Sequence, residues 1–180
     1  MHPRMTTVAI STIATLFTLG SSTAPAAETP KRKSGLWEIT NTMNGPHAMS
    51  TSMQQCVDQN TDKLMEQSGR KEAEKSCSKN DVRQEGGKVV VDSVCKFDNT
   101  TATTHAEFTG DFGNNYRGDI KTTYNPPMQG MKEMQMTIAA KWLGPCKPGM
   151  KPGDIVVQNM PGMPGGMKFN PADLQKQMRQ

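Results

Sequence analysis

The chain has 180 residues, of which 34% are hydrophobic and 5% aromatic, and its 21 Lys+Arg against 17 Asp+Glu give a formal net charge of +4. That length bounds it to one domain with a modest core. The positive charge is mild and scattered, with no basic stripe interleaved with aromatics, which argues against a nucleic-acid partner.

Residues 1–26 read as a secretory signal peptide. Arg4 supplies the positive start, Val8, Ile10, Ile13, Leu16, Phe17 and Leu19 the apolar run, and Ala24-Pro25-Ala26 a small-x-small cleavage pattern. The run is short for a bilayer span and lacks stop-transfer charges, so no transmembrane span is expected. No lipobox cysteine follows it. The expected mature chain starts at Ala27, holds about 154 residues, and carries 20 basic against 17 acidic residues, or +3. Its expected location is the periplasm or the exterior.

Residues 27–34 form a basic, proline-containing leader expected to be mobile. Residues 35–43 alternate, with Trp37, Ile39 and Met43 on one face, and read as a strand broken at Asn44-Gly45-Pro46. Residues 48–56 are a second extended run in which Met49, Thr51, Met53 and Gln55 alternate with polar residues. Residues 58–68 change character. Asn60 or Thr61 is expected to cap a short helix carrying Leu64 and Met65 and ending near Gly69, with a charged, solvated stretch to Ser76.

Residues 77–97 organise the chain. A polar run around Val82 and the run Lys88 to Phe97 flank Gly86-Gly87, a hairpin signal because glycine takes the positive φ of tight turns. With both glycines in the turn, opposed positions sum to about 173 by the arithmetic of a two-residue loop. Cys77 and Cys95 then miss each other by one position, which a small bulge corrects. Further alternating runs follow at 101–109 (Ala102, Thr104, Ala106 and Phe108 inward), 116–124 and 132–143. In the last, Met134, Met136, Ile138, Ala140 and Trp142 share a face. Gly113-Asn114-Asn115 and Asn125-Pro126-Pro127 separate these runs. The expected fold is mainly β, an antiparallel meander of about seven strands forming a curved sheet or partly closed barrel, with one short helix.

Cys56, Cys77, Cys95 and Cys146 all follow the signal, and an even count in an exported chain argues for two bridges. A zinc site competes poorly, since structural zinc ligands come in close pairs and these lie 21, 18 and 51 residues apart. Of the three pairings, the hairpin favours Cys77 with Cys95, which leaves Cys56 with Cys146. The disulfide-stapled domain thus spans residues 35–146. Residues 147–180 form a Pro/Gly/Met-rich tail expected to be flexible, with a short final helix opened by Asn170-Pro171.

Gly35-Leu36-Trp37-Glu38-Ile39-Thr40 opens the domain, Gln55-Cys56-Val57 follows a Met-rich strand, Cys77 and Cys95 bracket a hairpin, Tyr116-Arg117-Gly118 sits after a late turn, and Leu143-Gly144-Pro145-Cys146 closes. Together these motifs resemble the exported bacterial family catalogued as domain of unknown function 3617, from about Gly35 to Cys146. The resemblance implies a periplasmic or secreted β-rich domain with paired cysteines, and it brings no catalytic residue.

Candidate chemistry is sparse. His47 falls in a turn and His105 on an outward strand position, and no metal-binding or nucleophile motif surrounds either. A non-catalytic module without a cofactor is expected, with an apolar ligand or an envelope protein as partner. The 15 methionines carry the alternative. Thioethers are soft ligands for Cu(I) or Ag(I), and Met128, Met131, Met160, Met163 and Met167 lie in loop or tail positions with no period-two core pattern. Met134 and Met136 instead alternate with Ile138 and Trp142, a core pattern that packing accounts for.

Overall fold

The structure, a computed structural model, describes residues 30–45, 48–158 and 166–177. The expected signal peptide, residues 27–29 of the leader, His47, Met160 and Met163 lie outside the described residues. The elements in chain order are β1 (Gly35–Asn44), β2 (Met49–Val57), α1 (Gln59–Ser76), β3 (Cys77–Glu85), β4 (Lys88–Phe97), β5 (Thr100–Gly110), β6 (Asn115–Met128), β7 (Met131–Gly144), β8 (Ile155–Gln158), β9 (Met167–Phe169) and α2 (Pro171–Gln177). The strands make one antiparallel sheet in the order β3-β4-β5-β6-β7-β1-β2-β8-β9. β3 and β9 are its two edges, so the sheet is open and does not close into a barrel.

Period-two alternation decides which side chains meet. The pairings Trp37 with Trp142, Ile39 with Ala140, and Ala140 with Tyr116 put these residues on one inner face. Trp37, Ile39, Val57 and Ala140 form its buried core, with Met53, Tyr116, Ile138 and Trp142 packed against them. Trp37 is fully buried, and its indole N–H donates to the Lys33 carbonyl at 2.7 Å. The expected β3–β4 register holds: Val82 faces Val91 and Glu85 faces Lys88, and a shift between Cys77 and Lys79 brings Cys77 opposite Cys95.

Four features depart from the sequence reading. The helix is not short: α1 has 18 residues and continues past Gly69. Its N-cap is Asp58, whose side chain accepts from the Thr61 N–H at 2.7 Å in a capping box. An interior glycine costs about 1 kcal/mol relative to alanine, which the Glu66–Arg70 pair and the tether at Cys77 offset. Secondly, Pro126 and Pro127 do not end β6, which reaches Met128; its ladder to β7 lapses between Thr123 and Met128, and its ladder to β5 stops at Asn125.

Thirdly, the expected flexible tail is part of the sheet where it is described. Ile155 pairs with Gln55, and Phe169 pairs with Ile155. The buried Asp154 anchors this addition by accepting from the Lys151 N–H at 2.8 Å, Lys168 Nζ at 2.8 Å and Asn170 Nδ2 at 3.0 Å. Desolvation opposes the charge, but these donors win and hold the Asp154 carboxyl down to about 2. Fourthly, the described part of the leader is not loose. Arg32 donates to Asp62 and Gln55, and Lys33 lies over the Trp142 ring at 3.8 Å.

The path of α1 determines the site. It connects β2 to β3, six strand spacings apart in the sheet. Six spacings are about 29 Å across a flat sheet, whereas 18 helical residues reach about 27 Å. With its flanking residues α1 is therefore long enough to cross the sheet, and it spans the inner face as a strap. Disulfides Cys56–Cys146 and Cys77–Cys95 fasten the chain just before and just after the strap.

A cleft beneath the helical strap

The strap does not close onto the sheet. No residue of α1 is buried, and Leu64 and Met65 remain 58% and 39% exposed. A helix with no fully buried side chain gains little from packing, and isolated helices of this length are marginal. Between α1 and the sheet lies a cavity of about 670 Å³ with a mostly apolar lining. Its floor is built by the inward positions of three neighbouring strands: Val89 and Val91 of β4, Phe108 of β5 and Tyr116 of β6.

Two local devices shape this floor. Phe108 lies opposite Gly118, and a Cβ at Gly118 would come within 2.5 Å of Cδ1 and Cε1 of the ring. The glycine of the Tyr-Arg-Gly motif thus lets the ring lie flat on β6. In the β5–β6 turn, Asp111 accepts from the Asn114 and Asn115 N–H groups at 2.6 and 3.0 Å. This fold-back holds Phe112 at φ 55°, a left-handed conformation that bulky side chains avoid at a cost of about 1–3 kcal/mol. The strain sets the Phe112 ring against Tyr116, centroids 5.9 Å apart and 15° from parallel, at the wall of the cleft.

The rim is polar and ordered. Arg32 Nε donates to Asp62 Oδ2 at 3.1 Å, its Nη2 donates to Asp62 Oδ1, and its Nη1 donates to Gln55 Oε1 at 3.1 Å. Gln59 Nε2 donates to the Arg32 carbonyl at 2.6 Å, and Gln55 Nε2 donates to Met65 Sδ at 3.4 Å. The guanidinium also sits 5.8 Å from the Trp37 ring centre. Burial works against the Arg32 charge, but Asp62 outweighs it and holds the group more firmly protonated than in water. Burial likewise pushes the Tyr116 phenol above its ordinary value, against the opposing pull of Arg32. These contacts clamp the N-terminal half of α1 to the leader and to β2. The arrangement supplies an apolar chamber with fixed polar edges.

The candidate residues from the sequence fall elsewhere. Cys56, Cys77, Cys95 and Cys146 fasten the strap and touch no cleft residue by hydrogen bond. Met128 and Met131 face each other across the β6–β7 turn. Met167 is on β9, four strand spacings from β7 and so about 19 Å or more away; it does not join them. Met134 accepts from the Tyr124 hydroxyl at 3.9 Å on the inner face. His105 lies on the outer face, where its Nδ1 is 2.7 Å from Asp92 Oδ1. No group of three His, Cys, Asp or Glu side chains suited to a metal occurs among the described residues. Arg32, Asp62, Phe112 and Tyr116 had no signal as site residues, except that Tyr116 stood in a motif.

A family model described as "Protein of unknown function (DUF3617)" matches residues 32–146. The match starts at the arginine that clamps α1 and ends at the cysteine that fastens β2, and so takes in the cleft lining except Pro30 and Lys31. The comparisons return no match among curated proteins and none among solved structures.

Proposed function

We propose that this chain, which belongs to the DUF3617 family, is an exported, non-catalytic binding module that holds a small apolar or amphipathic ligand between α1 and the sheet. The observation that carries this reading is the strap, with no fully buried residue, above a floor of Val89, Val91, Phe108 and Tyr116. Apolar surface that a fold encloses without filling is surface an occupant would bury. The volume of about 670 Å³ falls within the roughly 300–1,000 Å³ of small-ligand sites. Two disulfides favour an oxidising compartment, in line with export. No helix among the described residues is long and apolar enough to cross a membrane. The test is titration with an apolar naphthylamine dye that brightens on leaving water. Saturable one-to-one brightening is expected, and it should weaken when Val91→Trp intrudes on the chamber floor. Absence of saturable binding, or binding indifferent to Val91→Trp, would overturn the reading.

A second reading rests on Met128 and Met131, which are backbone partners in the β6–β7 register. They would contribute two soft ligands for Cu(I). Titration of Cu(I) into the oxidised protein decides it. Affinity weaker than about micromolar, or roughly −8 kcal/mol, would dismiss the metal.

A further inference from the structure

The charges around the cleft mouth do not cancel. Four basic side chains line it, Lys31, Arg32, Lys63 and Arg70, with two acidic ones, Asp62 and Glu66. Asp62 is committed to Arg32, and Glu66 to Arg70 at 2.6 Å. Lys31 and Lys63 remain, both exposed and both without an ion pair among the described residues. The excess is local, since the leader contributes one lysine and the first turns of α1 the other. It stands over a chamber whose floor carries no charge: Val89, Val91, Phe108 and Tyr116.

A neutral apolar ligand would leave these two ammonium groups unused, and a compact anion would leave the apolar floor unused. The occupant that uses both has one hydrocarbon chain and a singly charged anionic head. Resting on the cleft reading above, we propose that the ligand is a single-chain fatty carboxylate, its chain on the floor beneath α1 and its carboxylate at the mouth between Lys31 and Lys63. The Arg32–Asp62 clamp is already charge-paired and serves as the edge against which the head stops. The lysines, long and rotatable, supply the charge. The cleft has one such mouth charge cluster, so the complex is one-to-one.

Calorimetric titration of the full chain with saturated carboxylates of eight to fourteen carbons, below their aggregation concentrations, tests this against the matched primary alcohols. Affinity should rise about fourfold for each methylene that enters the floor, the transfer value for one buried CH₂. Carboxylates should bind about tenfold tighter than alcohols of equal length at low salt, with the advantage shrinking as salt rises. Lys31→Gln with Lys63→Gln should remove that advantage and leave alcohol binding and the unfolding midpoint unchanged. Equal affinity for acids and alcohols, or a carboxylate preference that survives the double variant, would overturn the proposal while leaving the apolar cleft standing. Binding of neither series would remove the cleft reading as well. Affinity without chain-length dependence would show an adventitious surface ion pair and overturn it too.

Discussion

Gly118→Ala separates the stability of this domain from its binding. Phe108 is paired with Gly118, and the added Cβ would lie 2.5 Å from two ring carbons. Carbon contacts are comfortable at about 3.5–4.0 Å, so the ring must retreat by roughly 1–1.5 Å. In a filled core such overpacking costs about 1–3 kcal/mol. Here the ring is the far end of a rotatable side chain and borders the cavity of about 670 Å³, so it can rise into open space. Gly118 carries no left-handed φ, so alanine also gains about 0.4–1 kcal/mol by restricting the unfolded chain. The two effects nearly cancel, and urea unfolding should shift by less than about 1 kcal/mol. Dye affinity should fall about tenfold, or about 1.4 kcal/mol, because the ring now stands where the ligand lies. A stability loss above about 3 kcal/mol would show that no space lies over Phe108. Unchanged affinity at unchanged stability would show that the ring is not a ligand contact.

The remaining expectations concern the frame around the cleft. In the chain-entropy model the bridge spanning 90 residues contributes about 4.6 kcal/mol and the one spanning 18 about 3, so Cys146→Ser should destabilise more than Cys95→Ser; the reverse order in urea unfolding would contradict the model. Asp154→Ala should cost about 1–3 kcal/mol by orphaning its donors, and hydrogen exchange should quicken in β8 and β9 while β5 and β6 keep their protection. His105 is held above its ordinary value chiefly by its hydrogen bond to Asp92, and Asp92 is held down to about 2 by His105 and Arg83. The histidine's contribution is therefore full below about pH 6.5 and is lost as pH rises through its folded value. His105→Gln should flatten that decline, and a decline that persists would assign it to another group. The Asp92 contribution is present above about pH 4 and lost towards pH 2, and Arg83 should preserve most of it in the same variant.

The sheet was legible because its signals are local. Alternation over Met134 to Trp142, the Gly86-Gly87 turn and the Cys77/Cys95 offset each need only neighbouring residues, and each has its counterpart in the register. The length of α1 was not legible, since residues 70–76 lack apolar period and Gly69 reads as a stop. What carries the helix on is an ion pair and a distant disulfide. β8 was hidden because Ile155-Val156-Val157 is embedded in Pro/Gly-rich composition, and its anchor, Asp154, gains meaning only beside Lys168 and Asn170. The cleft itself juxtaposes α1 with β4, β5 and β6, and the left-handed Phe112 that walls it has no signature beyond a nearby turn. Such sites exist only once the chain has folded.

The central claim, that the space under α1 receives an apolar chain, is tested most directly by methyl NMR. With the valine and methionine methyls labelled, dodecanol is titrated into the oxidised protein. The account expects the shifts of Val89, Val91 and Met65 to move together on one saturation curve, with contacts from the ligand to the Phe108 and Tyr116 rings, while Met49 and Met131 stay still. Shifts concentrated at Met128 and Met131, or none at Val89 and Val91 at saturation, would contradict it.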